Sequence, residues 1–252
     1  MGERELYFMR DLKEYIVPYK SPFKKIRIGN EADGGYVIAD IPCDVCYSYG
    51  SNDEISFEVS MNEKLGAKSF VYDHTIAGIT NKPDYITFKK EGVSPEKTVD
   101  CNTIDSHLNE NGSSTERKIL KMDVEGSEWD SLYVCKELSR FDQLVVEFHF
   151  YRLHPIQIEL FKKLTRDFKI IHLHANPFEF NPYIDIEFPK FLEVTFLRND
   201  FFKEFEVDMD SKFPDPFLDP QYTKQIPDLQ WWKRPYKSLD KELISTFVKN
   251  LK

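Results

Sequence analysis

A single α/β domain with an open, mostly parallel β-sheet is the fold class this sequence predicts, on three observations. Short apolar runs of strand length alternate with helical stretches from Asp44 to Leu197. The run Asp44 to Tyr49 passes through Gly50-Ser51-Asn52-Asp53 straight into a helical pattern. That order sets backbone N–H groups and a helix N-terminus against a polar ligand. Lys118 to Trp129, KILKMDVEGSEW, then changes from strand to helix across three carboxylates, Asp123, Glu125 and Glu128. The length of 252 residues suits one large domain: a helix-and-hairpin cover over 1–40, a core over 41–200 and a C-terminal extension over 201–252.

Composition narrows the partners. A formal charge of −9 leaves no basic footprint for nucleic acid or an anionic membrane surface. The first residues, MGERELYFMR, lack an apolar signal core, and no run is long enough to span a bilayer, so a cytoplasmic protein without a membrane span is expected. Cys43, Cys46, Cys101 and Cys135 make no disulfide framework, and Cys43-Asp-Val-Cys46 lacks the second pair of a zinc ribbon; free thiols are the reading.

In chain order, Leu6, Met9, Leu12 and Ile16 mark a covering helix that stops at Pro18. Lys25 to Ile38 holds two short apolar runs around Asp33-Gly34-Gly35 and predicts a hairpin, whose glycines let the backbone approach a ligand contacted by Asn30, Asp33 or Tyr36. A helix with Phe57, Met61 and Leu65 inward ends at Gly66, and a second strand, Ser69 to Tyr72, ends in Asp73. An acid about twenty residues beyond the first turn is placed to accept ribose hydroxyls. Tyr85 to Phe88 makes a third strand, Glu91-Gly92-Val93 falls where adenine is expected on topology, and Asn109 to Arg117 reads as a polar loop.

Gln143 to Phe150 is the next strand after Lys118 to Val124, and its alternation sends Val146, Phe148 and Phe150 to one face and Glu147 and His149 to the other. Buried ionisable groups need partners, and the strand edge carrying Asp123 is the neighbour that supplies one, which assembles Asp123, Glu147 and His149. Glu125 and Glu128 also suit the dipole at the start of the following helix, and for Glu128 that role is the simpler one. Pro155 opens a helix; a further strand over Lys169 to Leu173 leads to His172, His174 and Asn176, and Lys190 to Leu197 completes the sheet as an antiparallel strand. His172 reads as structural, whereas His174 and Asn176 are divided between loop capping and substrate contact. Asn176 to Phe191 is an aromatic, proline-punctuated substrate-covering loop. Trp231-Trp232 is suited to cover the site or a subunit interface, with plain C-terminal packing the simpler role, and an amphipathic last helix through Leu239, Leu243, Phe247 and Leu251 docks on this chain or on a second copy in a homodimer.

The order of the Gly50 turn, Asp73, KMDVEGSE and VVEFH resembles the FkbM-type family of class I S-adenosylmethionine-dependent methyltransferases over residues 25 to 200. The DVEG-x-E stretch at Asp123 to Glu128 is its most specific element; the Gly50 turn departs from the glycine-richer class pattern. The resemblance implies a Rossmann-like three-layer sandwich on a seven-stranded sheet, with S-adenosyl-L-methionine held by Tyr36, Tyr49, Gly50, Ser51, Asn52, Asp53, Asp73, His74, Gly92 and Asp123. It also implies O-methylation of hydroxyls, often on sugars or glycosylated metabolites; the expected acceptor is a nucleotide-linked sugar or surface-polysaccharide precursor.

An alcohol is a poor nucleophile until its proton leaves. His149 can take it, with Glu147 or Asp123 favouring the imidazolium and His174 near the same edge. Alternatively Asp123, Glu147 and His149 bind Mg²⁺, Mn²⁺ or Fe²⁺ as a Lewis acid. A nicotinamide-dependent oxidoreductase and a cofactor-binding module without turnover are the competing functions, the first weakened by the missing G-x-G-x-x-G and the second by the charged face of Glu147 and His149.

Overall fold

A computed structural model describes residues 11–31, 34–111, 115–176 and 189–220. The order of elements begins with a hairpin, β1 (Lys25–Ile28) and β2 (Tyr36–Ala39), paired antiparallel from Lys25↔Ala39 to Ile28↔Tyr36. Then come β3 (Val45–Tyr49), α1 (Ser56–Leu65), β4 (Lys68–Tyr72), β5 (Ile86–Lys89), the two-residue strands β6 (Gly92–Val93) and β7 (Cys101–Asn102), and α2 (Ile104–Asn111). The second half carries β8 (Lys118–Met122), α3 (Glu128–Val134), β9 (Gln143–His149), α4 (Pro155–Asp167), β10 (Phe168–Asn176) and β11 (Phe191–Arg198).

Seven of these strands form the central sheet in the order β10-β11-β9-β8-β3-β4-β5. The neighbours β9, β8, β3, β4 and β5 run parallel, and β11 runs antiparallel to both β9 and β10. Strands buried on both faces read as continuous apolar runs, which is why β3, β8 and β9 are buried at every position.

Alternation along the strands divides the core. Val45, Tyr47, Leu120, Met122, Val146 and Phe148 meet Ile104 and Leu108 of α2, Trp129 and Leu132 of α3, and Leu160, Phe161 and Leu164 of α4. Cys46, Ile119 and Val145 point the other way, against Phe57 and Met61 of α1 and Ile28, Tyr36 and Ile38 of the hairpin. The hairpin packs across β9, β11 and β10, so it, rather than a second helix, covers that half of the face. Helix α1 ends as expected at Gly66, whose φ of 73° is the left-handed C-cap conformation.

Several boundaries differ from expectation. The N-terminal helix stops at Lys13 rather than Pro18, which instead bridges to Ile170, while Leu12 and Ile16 are fully buried in the core. The front of the expected polar loop is helical: α2 reaches Asn111, and the Thr103 hydroxyl accepts the Ser106 N–H at 3.1 Å as its N-terminal cap. Among the described residues all four cysteines are free, and burial pushes the Cys43 thiol up to about 12. No helix among them is long and apolar enough to cross a membrane. Leu6, Met9, Asp33, residues 177–188 of the expected covering loop, Trp231-Trp232 and the last amphipathic helix lie outside the described residues.

One side chain fastens the hairpin to the sheet. Gln143 of β9 accepts the Ala39 N–H at 2.8 Å and donates to the Ala39 carbonyl at 3.0 Å, all three groups buried. The carbonyl also accepts the Ile41 N–H at 2.9 Å, so truncation strands chiefly the Ala39 N–H. Gln143→Ala is therefore expected to lower unfolding stability by about 2 kcal/mol, read as a reduced urea midpoint with an unchanged denaturant slope.

Candidate active site

Strands β8 and β9 finish side by side, Met122 opposite Val146. Beyond Met122 the chain turns through Asp123-Val124-Glu125-Gly126-Ser127 into α3, and Glu125 (φ 55°) and Gly126 (φ 107°) both adopt left-handed backbone. For glutamate that conformation is uncommon, and it brings three acidic side chains to one point.

Glu128 is fully buried and makes two contacts to one residue: its Oε1 accepts the His149 backbone N–H at 2.7 Å and lies 3.2 Å from His149 Nδ1. Its other oxygen accepts the Gly126 N–H at 2.7 Å. A carboxylate only accepts, so Nδ1 carries the imidazole proton and Nε2 presents its lone pair. The expected role of Glu128 at the helix dipole is thus the smaller part of what it does. Trp129 Nε1 donates to the His149 carbonyl at 3.0 Å and completes the clamp.

His149 Nε2 faces Glu125 at 3.5 Å, Glu147 at 3.6 Å and Asp123 at 3.7 Å. Burial opposes the imidazolium, but the hydrogen bond to Glu128 and the charges of Glu128, Asp123 and Glu125 outweigh it and hold His149 above its ordinary value. Ligand atoms of Asp123, Glu147 and His149 all lie within 4.8 Å of one another, and among the described residues these are the group with metal-binding spacing. The Tyr36 hydroxyl donates to Asp123 Oδ2 at 3.1 Å, which makes this hairpin residue a support for the acid rather than part of a cavity wall.

Two cavities open on this cluster. The first, about 410 Å³, is bordered by Gly50, Ser51, Asn52, Asp73, His74, Gly92 and Asp123, seven of the residues expected at the cofactor. The second, about 450 Å³, is bordered by His149, Trp129, Tyr151, Arg152, His154 and Gln157. Glu125 and Ser127 border both, so the turn after β8 is their common wall.

Asp73 closes the base of the first cavity. Its Oδ2 accepts the Asn52 N–H at 2.8 Å and its Oδ1 the Thr75 N–H at 2.8 Å and the Thr75 hydroxyl at 2.6 Å. Burial raises its pKa, yet these hydrogen bonds prevail and hold the carboxyl below its usual value. Gly50 (φ 74°) lies so close to the end of β8 that an added Cβ would meet the Asp123 carbonyl oxygen at 1.7 Å. The glycine is demanded by a backbone crossing as well as by any ligand.

Four expected residues are placed elsewhere. Tyr49 is fully buried on the helical face, its hydroxyl 3.2 Å from His107 Nδ1 and its ring stacked on Tyr72. Asp53 is exposed and Asn30 donates to Glu54 at 2.7 Å; neither borders the cavity. His174 lies on β10, separated from β9 by β11, with Nδ1 3.1 Å from Glu193, and stands outside the Asp123 group. His172 pairs with Asp219 at 3.0 Å, both buried, in keeping with a structural histidine.

Three further charged groups, Glu54, Glu58 and Lys121, border the first cavity and are not singled out by the sequence pattern. Lys121, in the middle of buried β8, donates to the Gly50 carbonyl at 2.9 Å, and Glu58 of α1 is 1 % exposed. A lysine flanked by Leu120 and Met122 in a buried strand was the available signal. No curated protein sequence matches the chain. The family model described as the methyltransferase FkbM domain matches residues 36–172, more than half of the sequence and a span that contains the whole acidic cluster and, Gly34 apart, every residue bordering the two cavities, and the chain belongs to that family.

Proposed function

We propose that this chain is an S-adenosylmethionine-dependent O-methyltransferase acting on a hydroxyl of a sugar or glycosylated small molecule, with His149 as general base. The observation that carries the proposal is the junction of the cavities: Asp123 borders one, His149 borders the other, and Glu125 joins them. The donor set fits the cofactor, because the Asp73 oxygens retain lone-pair capacity for ribose hydroxyls at the cavity wall and Gly92 lines the same space. S-adenosylmethionine supplies a sulfonium methyl to an in-line nucleophile. The protein's part is to orient the acceptor, exclude water and take its proton.

His149 Nε2 receives the hydroxyl proton while Nδ1–H remains on Glu128, whose buried charge stabilises the imidazolium. Trp129 and Tyr151 give the second cavity apolar ring surface, while Asp130, Arg152, His154 and Gln157 supply donors and acceptors, a mixture suited to a polyhydroxylated ring. The convergence of three carboxylates on one imidazole nitrogen favours a second reading, in which Asp123, Glu147 and His149 hold Mg²⁺, Mn²⁺ or Fe²⁺ and the ion lowers the acceptor pKa.

Calorimetric titration of S-adenosylhomocysteine into chelator-treated protein, with NAD as control and with Mg²⁺ or Mn²⁺ added in turn, tests both readings. Binding of S-adenosylhomocysteine alone supports the methyltransferase assignment. A separate heat for Mg²⁺ or Mn²⁺ that His149→Ala removes supports the metal reading. Binding of NAD alone, or of neither ligand, would sink the proposal.

A further inference from the structure

Glu125 stands where the two cavities meet, and one of its oxygens already holds a hydroxyl. The Tyr151 phenol donates to Glu125 Oε2, the same oxygen that lies 3.5 Å from His149 Nε2. Tyr151 is 52 % exposed just beyond β9, and its ring lies over Gly126, where an added Cβ would stand 3.7 Å from it. The Glu125 side chain is 75 % exposed, whereas Glu128 is fully buried and committed to His149. A hydrogen bond between two such solvent-facing groups has little net worth and exchanges readily for one to another hydroxyl.

Two proton acceptors, an imidazole nitrogen and a carboxylate oxygen, therefore stand side by side on residues that border the second cavity. Hydroxyls on adjacent ring carbons lie about one hydrogen-bond length apart, so this spacing matches a neighbouring pair and leaves one acceptor unused by a lone alcohol. We propose that Glu125 selects a vicinal diol: His149 takes the proton of one hydroxyl, and Glu125 Oε2 accepts a hydrogen bond from its neighbour at the place the Tyr151 hydroxyl fills in this structure. Tyr151 is then a competitor of the second hydroxyl, while its ring remains part of the cavity wall. This rests on the methyltransferase reading, since it takes the second cavity to receive the acceptor. It adds that the hydroxyl beside the methylated one must be free.

The two side chains predict effects of opposite sign. In chelator-treated protein, ligand-observed NMR titration compares trans-cyclohexane-1,2-diol with cyclohexanol and with trans-cyclohexane-1,4-diol, whose hydroxyls are not adjacent. The parent chain is expected to bind the vicinal diol at least about threefold more tightly than either control. Tyr151→Phe removes the competing hydroxyl and keeps the ring, so the vicinal diol is expected to tighten by about threefold to tenfold and the controls to stay within about twofold. Glu125→Ala is expected to abolish the preference. Glu125→Gln keeps the shape and one acceptor oxygen without the charge, so its preference is expected between those of the parent and the alanine variant.

A preference that survives in both Glu125 variants, that appears only when Mg²⁺ is restored, or that weakens in Tyr151→Phe would overturn the proposal. S-adenosylhomocysteine titrated into the same parent chain separates the two readings. Binding of it without any preference for the vicinal diol overturns the role of Glu125 and leaves the enzyme assignment intact. Preference for the diol without S-adenosylhomocysteine binding does the reverse, and absence of both overturns both.

Discussion

His149→Ala is expected to reduce methyl transfer by about a thousandfold or more while S-adenosylhomocysteine affinity stays within about threefold of the parent value. The asymmetry follows from where the side chain stands. His149 borders the cavity of Trp129 and Tyr151, whereas Gly50, Asp73 and Gly92 border the other. The loss belongs in kcat, because in the proposed role the imidazole moves a proton and contributes little to holding the nucleoside. Glu128→Gln sharpens the test. An amide in place of the buried carboxylate keeps an oxygen for the His149 N–H but removes the charge that stabilises the imidazolium, so kcat should fall by about ten- to a hundredfold with KM nearly constant. Single-turnover rates with a competent acceptor, beside calorimetric affinities, measure both effects; wild-type turnover in His149→Ala would remove the base from the mechanism.

Asp73→Ala should show the reverse profile, with S-adenosylhomocysteine weakened by about thirtyfold or more and kcat at saturating cofactor reduced by less than about threefold. Two losses combine. The charged acceptor proposed for ribose hydroxyls disappears, and the loops that Asp73 ties together through Asn52 and Thr75 lose their common anchor. Asp73→Asn separates them, since an amide oxygen can still accept from one loop but cannot hold both. An affinity for Asp73→Asn midway between parent and alanine variant is the expected result, and parent-like binding by Asp73→Ala would remove the residue from the cofactor site.

Much of this architecture was legible in the residues because it is written in periodicity. The alternation from Gln143 to His149 puts Glu147 and His149 on one face whatever lies beside the strand, and the turn chemistry of Gly66 marks the end of α1. Periodicity states which residues share a face, not what covers it. Hence the hairpin was recognisable but its position over β9, β11 and β10 was not, and Tyr36 was expected at a ligand when it supports Asp123. Tyr49 belongs to the opposite face from Ser48, and its place at a strand end made it resemble a cavity residue. The α2 helix was hidden because eight residues with only Ile104 and Leu108 as apolar anchors give a weak pattern, and its Thr103 cap is a local signal that needs a helix behind it to be read. Glu128 was legible as an acid at a helix start, but its reach to the end of β9 depends on the parallel pairing of β8 with β9.

The grip of Glu128 on both the amide and the ring of His149 also bears on selectivity. With its carbonyl held by Trp129 as well, the residue has neither a free rotamer nor a loose backbone with which to follow its target. A fixed proton acceptor serves only the hydroxyl delivered to one point in space. In the proposed base role, regiochemistry would then be decided by the length and angle of the acceptor's approach, like a key cut measured against an immovable pin, and the remainder of the acceptor could vary widely without changing which oxygen is modified.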